Sequence, residues 1–385
     1  MQFLQPSSAR AYQQFGLVLV MNHACNLRCD YCYTGTKYPR AMPETIGRIA
    51  IERAVHSIAE GRALELGFFG GEPLLESSLI RRLLEYGRRL CGDKIELRPS
   101  LTTNGTIASG DAWIVLAESG VDVAISHDGL PDAHDRHRRD VSGRGSSAAV
   151  ETTIGRLIEA GREARTVTVV RPDTLADLPA GMIHLRELGV LRIDLSLDLW
   201  TRWSADDLQA LRKAIALLAR LWLDWLPDGI GINWFDQKAA ELLRLRDSRG
   251  TARCGFGAGE VAVAPSGNLY PCERLVGEDR LDNRWRLPGH ATDGGADFLP
   301  TSGLLTSPER SDDACDRCAM TSMCDTICRC SNYVRTGDVR HPDALLCAWN
   351  QACLEHTARA LRSSRIRLGD PAALSERVMV EANHE

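Results

Sequence analysis

The sequence predicts an α/β fold, a partial, open, TIM-like (β/α)6 barrel followed by a small cysteine-rich domain. Two observations carry this. Short β-branched or apolar runs alternate with longer stretches of helical spacing as far as residue 226. The 13 cysteines are unevenly spread, with three in residues 25–32, nine in 254–353 and Cys91 alone between them.

Strands are expected at 15–21, 65–69, 95–103, 121–126, 165–170 and 192–199. Each is followed by a helix, at 43–60, 77–91, 109–119, 146–160, 174–188 and 204–226. Gly120 and Gly189 read as helix stops, because glycine accepts the left-handed turn that ends many helices. Strands alternating with helices imply parallel strands joined by right-handed crossovers, and six units fall short of a closed barrel of eight. Beyond the barrel, 261–272 reads as a hairpin turning at 265–268, and 277–313 as an irregular loop. A cysteine-dense knot follows, then a helix over 344–362, with the last twenty residues charged and prone to fray. The expected division is a barrel over 1–230, a linker over 231–253, the cysteine-rich domain over 254–355 and a helical tail over 356–385.

Net charge is −5 with no long basic run, which argues against a nucleic-acid partner. No apolar run reaches bilayer-spanning length and no signal peptide opens the chain, so no membrane role and a cytoplasmic location are expected. Many cysteines in a reducing compartment point to metal ligation.

In such a barrel the functional residues belong on the loops after the strands. Cys25-Asn-Leu-Arg-Cys29-Asp-Tyr-Cys32 follows the first strand and Gly70-Gly71-Glu72-Pro73 the second. Thr102-Thr103-Asn104-Gly105 follows the third and Ser126-His127-Asp128-Gly129 the fourth. Three thiolates on one tight loop can hold three irons of a [4Fe–4S] cube and leave the fourth iron open to a small chelating ligand. A zinc knuckle is the rival reading and needs a fourth ligand nearby, for which His23 is the candidate.

The spacing Cys-x₃-Cys-x-Tyr-Cys resembles the signature of the radical S-adenosylmethionine (radical SAM) superfamily. The resemblance implies that the open iron binds the methionine end of S-adenosylmethionine, and that reductive cleavage gives a 5′-deoxyadenosyl radical which takes a substrate hydrogen. It further implies that Gly70, Gly71, Glu72 and Pro73 hold the methionine amino group, that Tyr31 lies near adenine, that Ser126 contacts the ribose and that Arg138 contacts the cofactor. Asn104, at the third strand end, is counted with this cofactor-binding set.

The later cysteines read Cys254-x₁₂-Gly267-x₄-Cys272, then Cys315-x₂-Cys318-x₅-Cys324-x₃-Cys328, then Cys347. This order resembles the SPASM extension of radical SAM enzymes, whereas a zinc ribbon would leave Cys254, Cys272 and Cys347 unassigned. The resemblance implies two auxiliary [4Fe–4S] clusters, making three in all. One would be held by Cys254, Cys272 and Cys328, the other by Cys315, Cys318, Cys324 and Cys347. Glu260 stands where sulfatase-maturing members carry a further cysteine. The fourth ligand of the first auxiliary cluster is therefore open between Glu260, a spare cysteine (Cys330 or Cys353) and an open iron, with an open or carboxylate-capped iron favoured. Cys91, in a helical context, reads as a buried apolar residue. Glu273 occupies a position where relatives place a general base, and a surface carboxylate is the plain alternative.

The resemblance implies oxidative modification of a side chain in a ribosomally made peptide, such as a thioether or carbon–carbon crosslink. Formylglycine formation in a sulfatase, or oxidation of a small-molecule cofactor or sugar precursor, are the alternatives. About fourteen residues precede the first strand, so leader recognition would fall to a separate protein or to the barrel surface. A flavodoxin- or ferredoxin-type reductant is implied as electron donor.

Overall fold

The computed structural model describes residues 12–243, 256, 259–293, 298, 315, 317–320, 323–324 and 328–363. One mixed sheet organises them, with nine strands in the order β7-β6-β5-β4-β3-β2-β1-β8-β9. The barrel strands are β1 (Tyr12–Val20), β2 (Ile58–Phe69), β3 (Ile95–Thr103), β4 (Asp122–Ser126), β5 (Arg165–Val170) and β6 (Arg192–Leu197). Each is parallel to its neighbour. Phe15, Leu17 and Leu19 alternate inward along β1 and are fully buried, as period-two spacing requires of a half-buried strand.

Helices α1 (Glu44–Ser57), α2 (Ser77–Cys91), α3 (Gly110–Ala117), α4 (Pro131–His137), α5 (Ser147–Glu159), α6 (Leu178–Glu187) and α7 (Ala205–Trp225) fill the crossovers. In α2, Leu79, Ile80, Leu83, Leu84, Gly87 and Cys91 form one buried stripe, so Cys91 is the core thiol its context implied. Ser204 and Asp207 close a capping box at the start of α7. Gly189 does end α6, with φ +88° and Val190 N–H donating back to the Leu185 carbonyl. Gly120 does not end α3. That helix stops at Ala117 because Glu118 turns extended, at φ −70° and ψ 118°.

The stretch read as a linker over 231–253 opens with structure. β7 (Gly231–Ile232) adds to the β6 edge and α8 (Asn233–Leu242) follows it. Lys238 on α8 is buried, pairs with Glu241 and donates to the Met323 carbonyl, tying the barrel to the cysteine-rich stretch. The expected hairpin exists as β8 (Glu260–Val263) and β9 (Leu269–Tyr270), with Gly267 at φ +91° in its turn. It is not a separate sheet. β8 lies parallel to β1, with Gly16 opposite Glu260 and Leu19 opposite Val263.

Two further helices, α9 (Arg329–Thr336) and α10 (Ala344–Ser363), complete the described chain. α9 lies in what the sequence showed only as a cysteine knot. Arg335 on α9 donates to the carbonyls of Leu199 and Thr201 beyond β6. Trp349 on α10 meets Trp234 of α8 edge-on, with ring centroids 5.7 Å apart. Residues 356–363, expected in a tail, are the last turns of α10 and bury Thr357, Ala360 and Leu361. The charged end beyond 363 lies outside the described residues. No helix among them is long and apolar enough to cross a membrane.

Candidate active site

The three-thiol loop leaves β1 and is strapped down on the far side of the barrel mouth. Arg28 N–H donates to the Arg139 carbonyl and Asp30 N–H to that of His137, so the loop is held by the segment after α4. Cys25, Cys29 and Cys32 are half-buried free thiols. Burial raises the Cys25 pKa and pushes Cys29 up to about 11. Cys32 moves the other way. Burial raises it, but the Lys37 ammonium 3.0 Å from its sulfur, with help from Thr34, outweighs that and lowers it. Three thiols without disulfide partners on one loop are the donor set an iron–sulfur cube takes. His23, the zinc candidate, is buried and stacks on Tyr38 at 4.7 Å.

The Gly-Gly-Glu segment after β2 is stitched against the chain entering that loop. Gly71 N–H donates to the Asn22 carbonyl, Glu72 N–H to the Ala24 carbonyl, and Asn22 Nδ2 to the Glu72 carbonyl. A Cβ on Gly71 would sit 2.1 Å from the Ala24 oxygen, so only glycine permits this approach. The Glu72 carboxylate points inward. It accepts from Leu74 N–H at 3.0 Å, Thr103 Oγ1 at 2.7 Å and Asn104 N–H at 2.8 Å, which locks the ends of β2 and β3 together. Pro73 starts the short turn that Glu72 caps. The Asn104 side chain donates to Asn26 at 2.9 Å and reaches the Cys25 sulfur at 3.8 Å.

On the opposite wall, Asp128 after β4 is the organiser. It is buried and receives Arg138 Nε at 2.9 Å, the Tyr31 hydroxyl and Val169 N–H at 3.0 Å. Arg138 lies 5.2 Å and Arg171 5.4 Å from the Tyr31 ring centre, a cation–π arrangement that fixes the ring. Arg138 is itself only 6% exposed and spends its guanidinium on Asp128. Ser126 ends β4 half-buried.

The hairpin brings Cys272 to Glu260, which lies opposite Gly16 of β1. Glu260, Cys272 and Glu273 place one ligand atom each within 4.8 Å of one another. The Cys272 thiol donates to Glu273 Oε2 at 3.4 Å. Contact with Cys330 lowers the Cys272 pKa, but burial and the Glu273 charge carry it up to about 11. Cys254 lies outside the described residues. Cys328 is the N-cap of α9 and Cys330 follows in its first turn. Farther out, Cys347 opens α10 with its thiol pushed up to about 11 by burial and by the neighbouring charges of Cys324, Cys315, Asp343 and Cys318. The three other cysteines expected to share its site thus lie within electrostatic reach of Cys347. Cys353 is buried in the apolar core of α10.

Tyr33, one residue past the three-thiol loop, lies within electrostatic reach of both groups. Burial raises its phenol well above the ordinary value, and the charges of Glu273, Cys272 and Cys32 add to this while Arg274 opposes. Its ring stacks on Trp200 at 4.7 Å, and Trp200 is 44% exposed. Trp200 borders an open cavity of about 580 Å³ that Arg274, Leu275, Arg284, Trp285 and Tyr333 also line. A larger cleft of about 730 Å³ between α2 and α3 is lined by Arg81, Arg82 and Arg88 and contains no thiol.

The model of the Radical SAM superfamily matches residues 19–180. The chain carries a radical SAM domain. It is 28% identical over 290 residues to the serine-type anaerobic sulfatase-maturating enzyme of Klebsiella aerogenes, covering 68% of each chain. It is 23% identical over 346 residues to the PqqA peptide cyclase of Gluconobacter oxydans, covering 85% of this chain and 88% of that one. Its fold matches the solved structure of native anSMEcpe with bound AdoMet and the Cp18Cys peptide at a TM-score of 0.73, covering 90% and 98% of the two chains at 20% identity.

The matched radical SAM segment runs from β1 into α6 and holds the loops after β1, β2, β3 and β4. Sequence reasoning named Ser126 on the fourth of these loops and passed over its neighbours Asp128, His127 and His134. An acid followed by glycine at a strand end was the available signal for Asp128. The two imidazoles support the same loop within the radical SAM domain. Gly129 N–H donates to His127 Nδ1 and Asp128 N–H to His134 Nδ1, while His134 Nε2 meets Ser146 Oγ at 2.9 Å. Burial is the main cause that lowers both pKa values from the ordinary 6.5, to about 3 for His127 and about 4 for His134. Below pH 6.5 the unfolded chain binds protons that the folded chain refuses, so stability falls as pH drops from 6.5 toward about 4. The thermal midpoint is expected to decline through that window, and less steeply in His134→Asn. A flat wild-type profile there would contradict it.

Proposed function

We propose that this radical SAM enzyme oxidises a side chain of a peptide substrate held between the three-thiol loop and the Cys272 site. The observation that carries the reading is Tyr33, which lies within electrostatic reach of Cys32 and of Glu273 and Cys272 and stacks its ring on Trp200 at 4.7 Å. In this reading Cys25, Cys29 and Cys32 hold the first [4Fe–4S] cluster. The Gly70–Glu72 backbone, Asn104, Tyr31 and Ser126 form the walls that receive S-adenosylmethionine, with Glu72 and Arg138 acting through the groups they position. Bound there, cluster and cofactor supply the one-electron chemistry that ends in removal of a substrate hydrogen.

The chain's own residues do the rest. Trp200 and Tyr33 offer a flat aromatic platform for a substrate side chain at the rim of the cavity, and Arg274 and Arg284 give that cavity positive charge. Glu273, beside Cys272, is placed to accept the proton that a net oxidation releases. Cys272 and Cys328, with Cys254, would hold one auxiliary cluster. Cys315, Cys318, Cys324 and Cys347 would hold the other, giving the second electron a way out. Residues 254–355 would then act as a SPASM module whose hairpin is grafted onto the barrel edge, with a flavodoxin- or ferredoxin-type protein as electron source.

The test is anaerobic incubation of reconstituted enzyme with reductant, S-adenosylmethionine and a candidate peptide. Loss of H₂ from the peptide, matched by 5′-deoxyadenosine, is the expected result. The similarity to sulfatase-maturating enzymes favours formylglycine formation as the second reading, and fragment masses of a sulfatase-derived peptide separate the two. An unmodified peptide in both arms, with 5′-deoxyadenosine still forming, would move the substrate to small molecules.

A further inference from the structure

We infer that Cys330 supplies the fourth thiolate of the first auxiliary cluster, in place of the cysteine whose position Glu260 occupies. The inference rests on the reading that Cys272 and Cys328 hold such a cluster, and it replaces the carboxylate-capped or open iron expected from sequence.

Cys330 is brought to the other two cysteines by the fold. Its sulfur is 3.3 Å from that of Cys328 and lies within electrostatic reach of Cys272, which shares its buried cluster and arrives on a different segment, the β8–β9 hairpin. It is 3% exposed in a small cluster with Phe256, Cys272 and Leu275, set apart from the barrel core. A buried apolar cysteine of the Cys91 kind sits among leucines and isoleucines, whereas the cluster around Cys330 also holds Cys272 and Cys328. The other spare thiol, Cys353, is buried in the main core under α10.

The surroundings suit thiolates. Cys328 caps α9 and Cys330 lies in its first turn, where free N–H groups favour negative charge. The guanidinium of Arg274 lies within electrostatic reach of the sulfurs of Cys330, Cys328 and Cys272 and donates to Ser331 Oγ, which in turn donates to the Cys328 sulfur at 3.1 Å. Second-sphere donors of this kind orient metal-ligating sulfur. Iron in such clusters favours soft thiolate over carboxylate oxygen, which places Cys330 ahead of Glu260 as a ligand. Glu260 lies instead with Cys272 and Glu273, its side chain resting on Gly16 of β1. On this assignment two carboxylates stay free of metal beside Cys272, available to a departing proton.

The experiment uses full-length enzyme in which Cys25, Cys29 and Cys32 are alanine, so that iron reports the auxiliary clusters alone. After anaerobic reconstitution, iron and sulfide are counted and EPR spectra recorded. Adding Cys330→Ala should lower the iron content and convert one cluster to a [3Fe–4S]-type signal, while Glu260→Gln keeps both iron and signal. Should the alanine variant fold poorly, Cys330→Ser should retain iron with a shifted EPR spectrum and reduction potential. Full iron and an unchanged spectrum in both Cys330 variants overturn the inference, and iron loss in Glu260→Gln would then assign the carboxylate. A parent protein without any iron would overturn the auxiliary-cluster reading itself.

Discussion

Cys29→Ala protein, reconstituted anaerobically, should form no 5′-deoxyadenosine above a no-enzyme control while keeping the wild-type circular dichroism spectrum. Cys29 lies at the centre of the three-thiol loop, half-buried and free of any disulfide, and its neighbours in sequence are held by backbone bonds to residues 137 and 139. Removing its sulfur leaves those bonds intact, so the fold persists. A cluster that loses one of three ligands is affected more than by the loss of an outer-sphere partner, which alone costs roughly 10–100-fold in affinity or activity. The same preparation should lose iron relative to wild type. Undiminished 5′-deoxyadenosine from Cys29→Ala would remove the cofactor site from this loop.

The second large effect is expected at a residue that the sequence did not single out. Asp128→Ala should destabilise the protein by about 3–5 kcal/mol, because it leaves a buried guanidinium without its partner. The ion pair between Asp128 and Arg138 has side-chain exposures of only 3% and 8%. Burial alone would raise the Asp128 pKa, but Arg138 outweighs it and holds the carboxyl below the usual range. A carboxylate so depressed contributes its full stability above the pKa of about 3.9 of a free aspartate, and loses it as pH falls through the lower folded value. The measurement is the midpoint of the first unfolding transition at neutral pH. A double variant, Asp128→Val with Arg138→Met, should recover much of the stability without recovering S-adenosylmethionine binding, since Tyr31 would lack both its hydrogen bond and its cation. Unchanged stability in Asp128→Ala would show that Arg138 finds another partner.

Where local pattern and tertiary burial agree, the sequence set the elements to the residue. The expected bounds of α2, β3 and β5 coincide with the structure; α2 and β3 have an apolar period, and β5 is a β-branched run with Thr166, Thr168 and Val170 on its buried face. Where an element has no period, it was missed. α4 is about two turns of Pro-Asp-Ala-His-Asp-Arg-His with one buried alanine and two buried histidines, which no hydrophobic pattern reveals. β7 is two residues long and exists because β6 offers it an edge.

The cysteine spacings, the glycine pair before Glu72 and the strand-end positions of the loops were all legible in the chain by itself. They depend on neighbours within a few residues, or on a parallel barrel's habit of exposing its strand ends. What the folded structure alone decided depends on pairings between distant segments. β8 joins β1 across more than two hundred residues, and this sets Glu260, with Cys272 and Glu273 beside it, opposite Gly16 of β1. Glu72 turns inward to bind β3, and Asp128 takes the charge of Arg138. Cys330 meets Cys272 because Cys330, Tyr333 and Val334 of α9 cluster with Cys272, Leu275 and Phe256. Spacing shows which residues a chain has to offer, but contacts between remote segments are fixed only when burial makes them better than solvent.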